Sequence, residues 1–155
     1  MTTREDYSAE EWKTVALGPL VAGVYVSTAD HLGSLSFLRE SLAVVAAIGS
    51  ARETADTELV RAVSEWWSQP DTRPDIPGLT GGAGARRGLL DLVREADALV
   101  EEKSPEALAD YRLWCLECGL VAARAHHEGQ GPESVTDAER TAFAELAATL
   151  HITRR

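Results

Sequence analysis

An all-α helical bundle of about six helices is the fold this sequence predicts, and three observations carry the prediction. Apolar residues recur every three to four positions in several separate stretches. No segment sustains the period-two alternation of a strand. Two capping boxes, Ser8 to Glu11 and Thr136 to Glu139, mark helix starts at opposite ends of the 155-residue chain.

The first helix follows Ser8. Trp12, Val15, Ala16, Pro19, Leu20, Gly23 and Val24 fall on one stripe. Pro19 lacks a backbone N–H, so a kink or split is expected near Leu17. Gly18, Ala22 and Gly23 leave room for a neighbouring helix. Asp30 to Gly33 reads as a turn. A second helix, capped by Ser34 or Ser36, is expected to run to about Ile48, with Leu35, Leu38, Leu42 and Val45 inward and a stop at Gly49 and Ser50. A third begins near Asp56 or Thr57 and carries Leu59, Val60, Val63, Trp66 and Trp67.

Residues 69–84 contain Pro70, Pro74, Pro77, Gly78, Gly81, Gly82 and Gly84, which excludes a regular element. This stretch is expected to be a long loop joining two helix–loop–helix halves of a single domain, residues 1–155. A fourth helix is expected over about Ala85 to Glu102, with Leu89, Leu92, Val93, Ala96 and Val100 inward. Ser104 and Pro105 read as N-cap and first residue of the longest helix, which reaches about His127. Leu108, Tyr111, Trp114, Cys115, Cys118, Val121, Ala122 and Ala125 line its apolar face. The last helix opens at Thr136, with Phe143, Leu146, Ala147 and Leu150 inward.

Composition narrows the functional classes. A chain of this size buries roughly 70% of its unfolded surface and needs no disulfide or metal to fold. The net charge is −10, from 25 acidic and 15 basic side chains. This argues against nucleic acid, whose phosphates require Lys and Arg, and against anionic lipid. It suits cations or a basic protein partner. The longest uncharged run, Thr14 to Ala29, is shorter than the roughly 18 residues of a membrane span and contains Gly18, Pro19 and Gly23. The N-terminal residues lack a signal-peptide core. A cytoplasmic protein with no membrane span is expected.

Two acidic junctions hold the best chemical clue. The first runs from Asp30 and His31 to Glu40. The second comprises His126, His127 and Glu128, then a Gly/Pro loop, then Asp137 and Glu139. Hard divalent cations take carboxylate oxygens, which selects Asp30, Glu40, Glu128 and Glu139. Zinc would recruit His31, His126 or His127. Ordinary capping is the competing account, since carboxylates near helix N-termini are stabilised by the helix dipole. It explains Asp137 and Glu139 completely. Neither junction has the alternating carboxylates of a full calcium loop.

Other motifs carry less. Cys115 and Cys118 share a helix face and make a thiol redox couple conceivable. Their stripe also carries Trp114, Val121 and Ala122, which points to buried structural thiols. Gly81 to Arg87 has the glycines of a phosphate-cradling loop but neither the preceding strand nor the Walker lysine. Its arginines read as a solvated pair. No serine and histidine arrangement supports a catalytic triad.

Pro19 within an apolar helix, the run Val26 to Asp30 ending at Gly33, and Glu40 resemble the first half of bacterial TerB-like proteins, named for tellurite resistance. Tyr111, Trp114 and Cys118, then Ala122, Ala123 and Ala125, Glu128, Gly129, Gly131, Val135, Thr136, Glu139 and Leu150 are similar to stress-associated proteins of that kind. The resemblance covers about Ser8–Val45 and Glu106–Leu150. It implies a helical bundle with a cation site carried by Asp30, Glu40, Glu128 and Glu139, to which His127 is adjacent. A non-enzymatic binding or adaptor protein is the leading expectation, with a divalent cation as cofactor and a protein partner or self-association. The alternatives are a thiol oxidoreductase using Cys115 and Cys118, or a small enzyme with an acid or base such as Asp30, His127 or Glu128 in an interhelical pocket.

Overall fold

The computed structural model describes residues 4–30, 34–69, 83–126 and 136–152, without the side chains of 30, 34–42, 83–85, 125 and 126. These residues form six α-helices and no strand. The helices are α1 (Ala9–Ser27), α2 (Ser34–Thr54), α3 (Glu58–Ser68), α4 (Ala83–Lys103), α5 (Leu108–His126) and α6 (Asp137–Thr149). Single 3₁₀ turns at Thr28–Asp30 and Pro105–Ala107 follow α1 and precede α5. Residues 70–82 of the Pro/Gly-rich stretch lie outside the described residues.

α1 is the axis of the bundle. Every residue from Val15 to Ser27 is buried, so beyond its exposed first turns this helix has no solvent face, and the single stripe read from the sequence widens there to the full circumference. It packs chiefly on α4 and α5, then on α2. The segments on either side of 69–84 therefore interlock around α1, and one apolar core runs through both.

Pro19 does not split α1, because the helix is continuous through it. Its missing N–H leaves the Val15 carbonyl without its i+4 donor. The buried Tyr111 hydroxyl of α5 donates to that carbonyl at 2.6 Å. Gly18 makes the approach possible, since a Cβ there would stand 2.0 Å from the Tyr111 Oη. One residue further on, the Ala16 carbonyl accepts from the Trp67 indole Nε1 of α3 at 2.8 Å. The disturbed turn of α1 is thus held by two other helices.

Three boundaries differ from expectation. α2 passes through Gly49 to Thr54; among its described side chains Val44, Ile48 and Ala51 are inward, while Val45 is exposed, and those of Leu35, Leu38 and Leu42 lie outside the described ones. Gly49 is tolerated because an interior glycine costs only about 1 kcal/mol. α4 starts at Ala83, two residues early. Ser104 does not cap a helix with its side chain. Its hydroxyl shares a 2.6 Å hydrogen bond with Tyr7 in the core, and a 3₁₀ turn intervenes before α5. Both capping boxes form as predicted.

Charged groups tie the helices where water is scarce. Arg112 of α5 donates through Nε and Nη2 to the two carboxylate oxygens of Asp97 on α4, at 2.6 and 2.8 Å. Asp97 is almost fully buried, so this bidentate pair fixes the α4–α5 orientation. α6 ends in a Schellman turn. The N–H groups of His151 and Ile152 bond the carbonyls of Ala148 and Ala147, with His151 at φ 55°.

Two predictions follow from this packing. Tyr111→Phe should cost about 1–3 kcal/mol by orphaning the Val15 carbonyl. In a Pro19→Ala background the restored N–H takes that carbonyl, so the same change should cost less. Urea unfolding of the four chains measures the coupling, and equal costs in both backgrounds would refute it. His151→Gly should stabilise the protein by about 1 kcal/mol, because glycine adopts positive φ without strain. Thermal unfolding reads this as a raised Tm.

Candidate functional site

Helix direction decides whether the two acidic junctions lie near each other. α1 and α5 run parallel. Val15 meets Tyr111, Gly23 sits against the Cys118 carbonyl, and Gly119 faces Ala22 and Val26. Their C-terminal ends therefore emerge at the same end of the bundle. α4 is antiparallel to α1, with Lys103 bonded to Glu11 and Arg86 to Thr28. Its N-terminus comes to that same end. Asp30 closes the 3₁₀ turn after α1, Glu40 belongs to α2, and His126 is the last residue of α5. The side chains of these three are not described. His31, His127 and Glu128 lie outside the described residues.

Glu139 is described fully. It is 2% exposed, and its Oε2 accepts the Thr136 backbone N–H at 3.1 Å while the Thr136 hydroxyl accepts the Glu139 N–H at 3.2 Å. This is the reciprocal capping read from the sequence. Asp137 is exposed beside Arg140, with 3.3 Å between charges. Among the described residues, no three His, Cys, Asp or Glu side chains are grouped so as to hold a metal ion.

A polar group that sequence reasoning missed sits at the same end. Tyr25, near the end of α1, donates its hydroxyl to Glu145 of α6. The Arg86 guanidinium of α4 lies 4.6 Å from the centre of the Tyr25 ring, and its Nε donates to the Thr28 hydroxyl at 3.3 Å. Burial, then the bond to Glu145, pushes the Tyr25 hydroxyl up to about 12. It stays protonated and remains a donor throughout the physiological range. Arg86 is therefore not part of a solvated pair. Its neighbour Arg87 is exposed. No local pattern announces this group, because its members come from three helices.

The remaining candidates resolve plainly. Cys115 and Cys118 are both fully buried. Burial pushes the Cys115 thiol well up, with Cys118 beside it adding to the rise. Burial also raises Cys118. Thiolate, the reactive form, is scarce in such a site. Trp66 and Trp67 meet edge to face with centroids 5.3 Å apart, both half-buried. At the opposite end of the bundle, Asp56, Thr57, Glu58, Leu59, Arg61, Glu106 and Ala107 line a shallow groove of about 300 Å3. Thr57 is held there by Asp110, which accepts both its N–H and its hydroxyl. Among the described residues, no helix is long and apolar enough to cross a membrane.

No family model, curated protein or solved structure matches this chain.

The thiols yield a direct prediction. Because both pKa values are raised, the protonated form persists as pH rises through the ordinary thiol range. A maleimide or disulfide reagent should label neither cysteine in the native protein at pH 8, and both in urea. Mass spectrometry follows the labelling, and rapid native modification would contradict the burial.

Proposed function

We propose that this chain is a non-enzymatic helical binding or adaptor domain, similar in kind to TerB-like stress proteins, in which a divalent cation joins the two acidic junctions. The ligands would be Asp30 and Glu40 from the first junction and His127 and Glu128 from the second. Glu139 is left out of this set, since its carboxylate already serves the cap.

One observation supports the reading above others. α1 and α5 are parallel, so the helices bordering both junctions end on the same side of the bundle. An ion shared between them would oppose separation of α1 from α5. Oxygen ligands favour a hard cation, and His127 would shift the preference toward zinc. The excess of negative charge raises the local concentration of any cation. Ligand binding to the folded form alone would then stabilise it.

The test is metal content by mass spectrometry on protein purified without a metal-affinity step, followed by thermal unfolding with and without chelator. Near-stoichiometric metal, with a Tm that falls on chelation, is expected. Asp30→Asn with Glu40→Gln should remove both the metal and the chelator effect. Absence of metal, together with an unmoved Tm when calcium, magnesium or zinc is added, would overturn the reading.

A further inference from the structure

The groove at the end of the bundle away from the acidic junctions has two walls, and both are fixed. One wall is the first turn of α3 with Asp56 just ahead of it, and the other is the 3₁₀ turn Pro105–Ala107. Thr57 stands at the N-cap position of α3, yet its side chain caps nothing. Its hydroxyl donates instead to Oδ2 of Asp110 on α5 at 2.5 Å, and its N–H donates to the same oxygen at 3.2 Å. A side chain that would ordinarily stabilise its own helix by about 1 kcal/mol thus ties one wall to the other. In the second wall, the Ala107 N–H bonds the Ser104 carbonyl at 2.9 Å, and Ser104 is anchored on Tyr7. The groove is therefore preformed, as ligand sites usually are.

Its lining is amphipathic. Leu59 and Ala107 supply apolar surface, while Asp56, Glu58 and Glu106 line it as exposed carboxylates. Arg61 is the cation of the lining, and its Nε and Nη2 both donate to the Ala55 carbonyl, at 3.1 and 3.0 Å. Among the described residues, neither Asp56 nor Glu58 has an ion-pair partner.

Helix polarity accounts for part of this charge. Asp56 and Glu58 lie at the N-terminus of α3, where its dipole favours them. It does not account for Glu106, which comes from the other wall. Like charges on two walls of one groove repel, and a cation bound between them removes that repulsion. The uncapped first turn of α3 also leaves leading N–H groups without a side-chain acceptor.

We propose that this groove docks a basic, extended segment of a partner protein, with one lysine or arginine stem against Leu59 and Ala107 and its cationic head among Asp56, Glu58 and Glu106. Long basic side chains bind in this divided way, stem on apolar surface and head in water. A volume of about 300 Å3 is at the small end of ligand sites and suits a side chain, not a whole helix. The segment's main-chain carbonyls answer the open N–H groups of α3, which a simple amine would leave unused. The inference goes beyond the cation reading and stands without it, since the groove lies at the other end of the bundle and needs no metal.

The experiment titrates the full chain into a fluorescent peptide of alternating alanine and lysine, at physiological salt and with chelator present, so that the cation reading plays no part. Binding is expected, and the backbone amide resonances of Thr57, Glu58, Leu59 and Ala107 should move as the peptide is added. Asp56→Asn, Glu58→Gln and Glu106→Gln together should weaken binding about tenfold. Glu65→Gln, Glu95→Gln and Glu117→Gln remove the same charge away from the groove and should weaken it less than about twofold. The resonance mapping uses the unaltered chain, so it stands whether or not a variant folds. Equal losses in the two triple variants, or groove amides that do not move, would overturn the proposal. Spermidine that binds as tightly as the peptide would overturn it too, by assigning the groove to a simple amine.

Discussion

A proline in the most deeply buried helix creates a carbonyl that must find a donor, and much of the bundle is arranged around that need. Val15 sits where no water reaches, so its carbonyl would carry the full desolvation cost if left unbonded. Tyr111 answers it from α5, and Gly18 is the residue that lets the ring come close. Once that contact is set, the register of α1 on α5 is fixed for the rest of their length. Gly23 then meets Val44 and the Cys118 carbonyl, and Gly119 meets Leu146 and Val26. The neighbouring carbonyl of Ala16 brings in Trp67 and with it α3. A local irregularity in one helix has become the instruction that places two others.

Charge is distributed by a different rule. Among the described residues, the core admits one bidentate ion pair, Asp97 with Arg112, and there both partners are hydrogen-bonded twice. Glu11 and Lys103 form a half-exposed pair near the start of α1. Tyr7 lies beside it, with the Lys103 ammonium 5.6 Å from its ring centre. Most other carboxylates stay in solvent, where like charges repel weakly and hydration is retained. The surface field is therefore negative, while the interior depends on very few formal charges. Where α1 and α5 terminate, Tyr25, Arg86, Thr28 and Glu145 make a polar seam between α1, α4 and α6.

Local features of this architecture were legible in the sequence, and non-local ones were not. Both capping boxes form because each involves residues only three apart. Leu59, Val60 and Val63 of α3 and Leu89, Val93, Ala96 and Val100 of α4 follow from periodicity, whereas the buried polar Ser64 and Asp97 on the same helices do not. Val45 fails that reasoning because α2 turns Val44, which packs against Gly23 of α1, and Ile48 to the core instead. Ser104 has the sequence signature of a cap, yet its hydroxyl goes to Tyr7, 97 positions away. Arg86 looks solvated beside Arg87 until α1 supplies an aromatic face for it. The proximity of the two junction-bearing helix ends depends on α1 and α5 being parallel, a property of the assembled bundle that no spacing encodes.

The central position of α1 also has a consequence for how the protein comes into being. Its most apolar helix is made first, and the tyrosine that completes its buried turn lies 96 residues later. At ordinary translation speeds of about 5–20 residues per second, that interval is roughly 5–20 s. For most of it, the apolar stretch Val15–Ser27 waits without a complete α4 or α5 to cover it. Nascent chains of this protein therefore present a sticky, unfinished core to the cell before they present a fold. Shielding of α1 on the ribosome becomes part of the biology of this bundle.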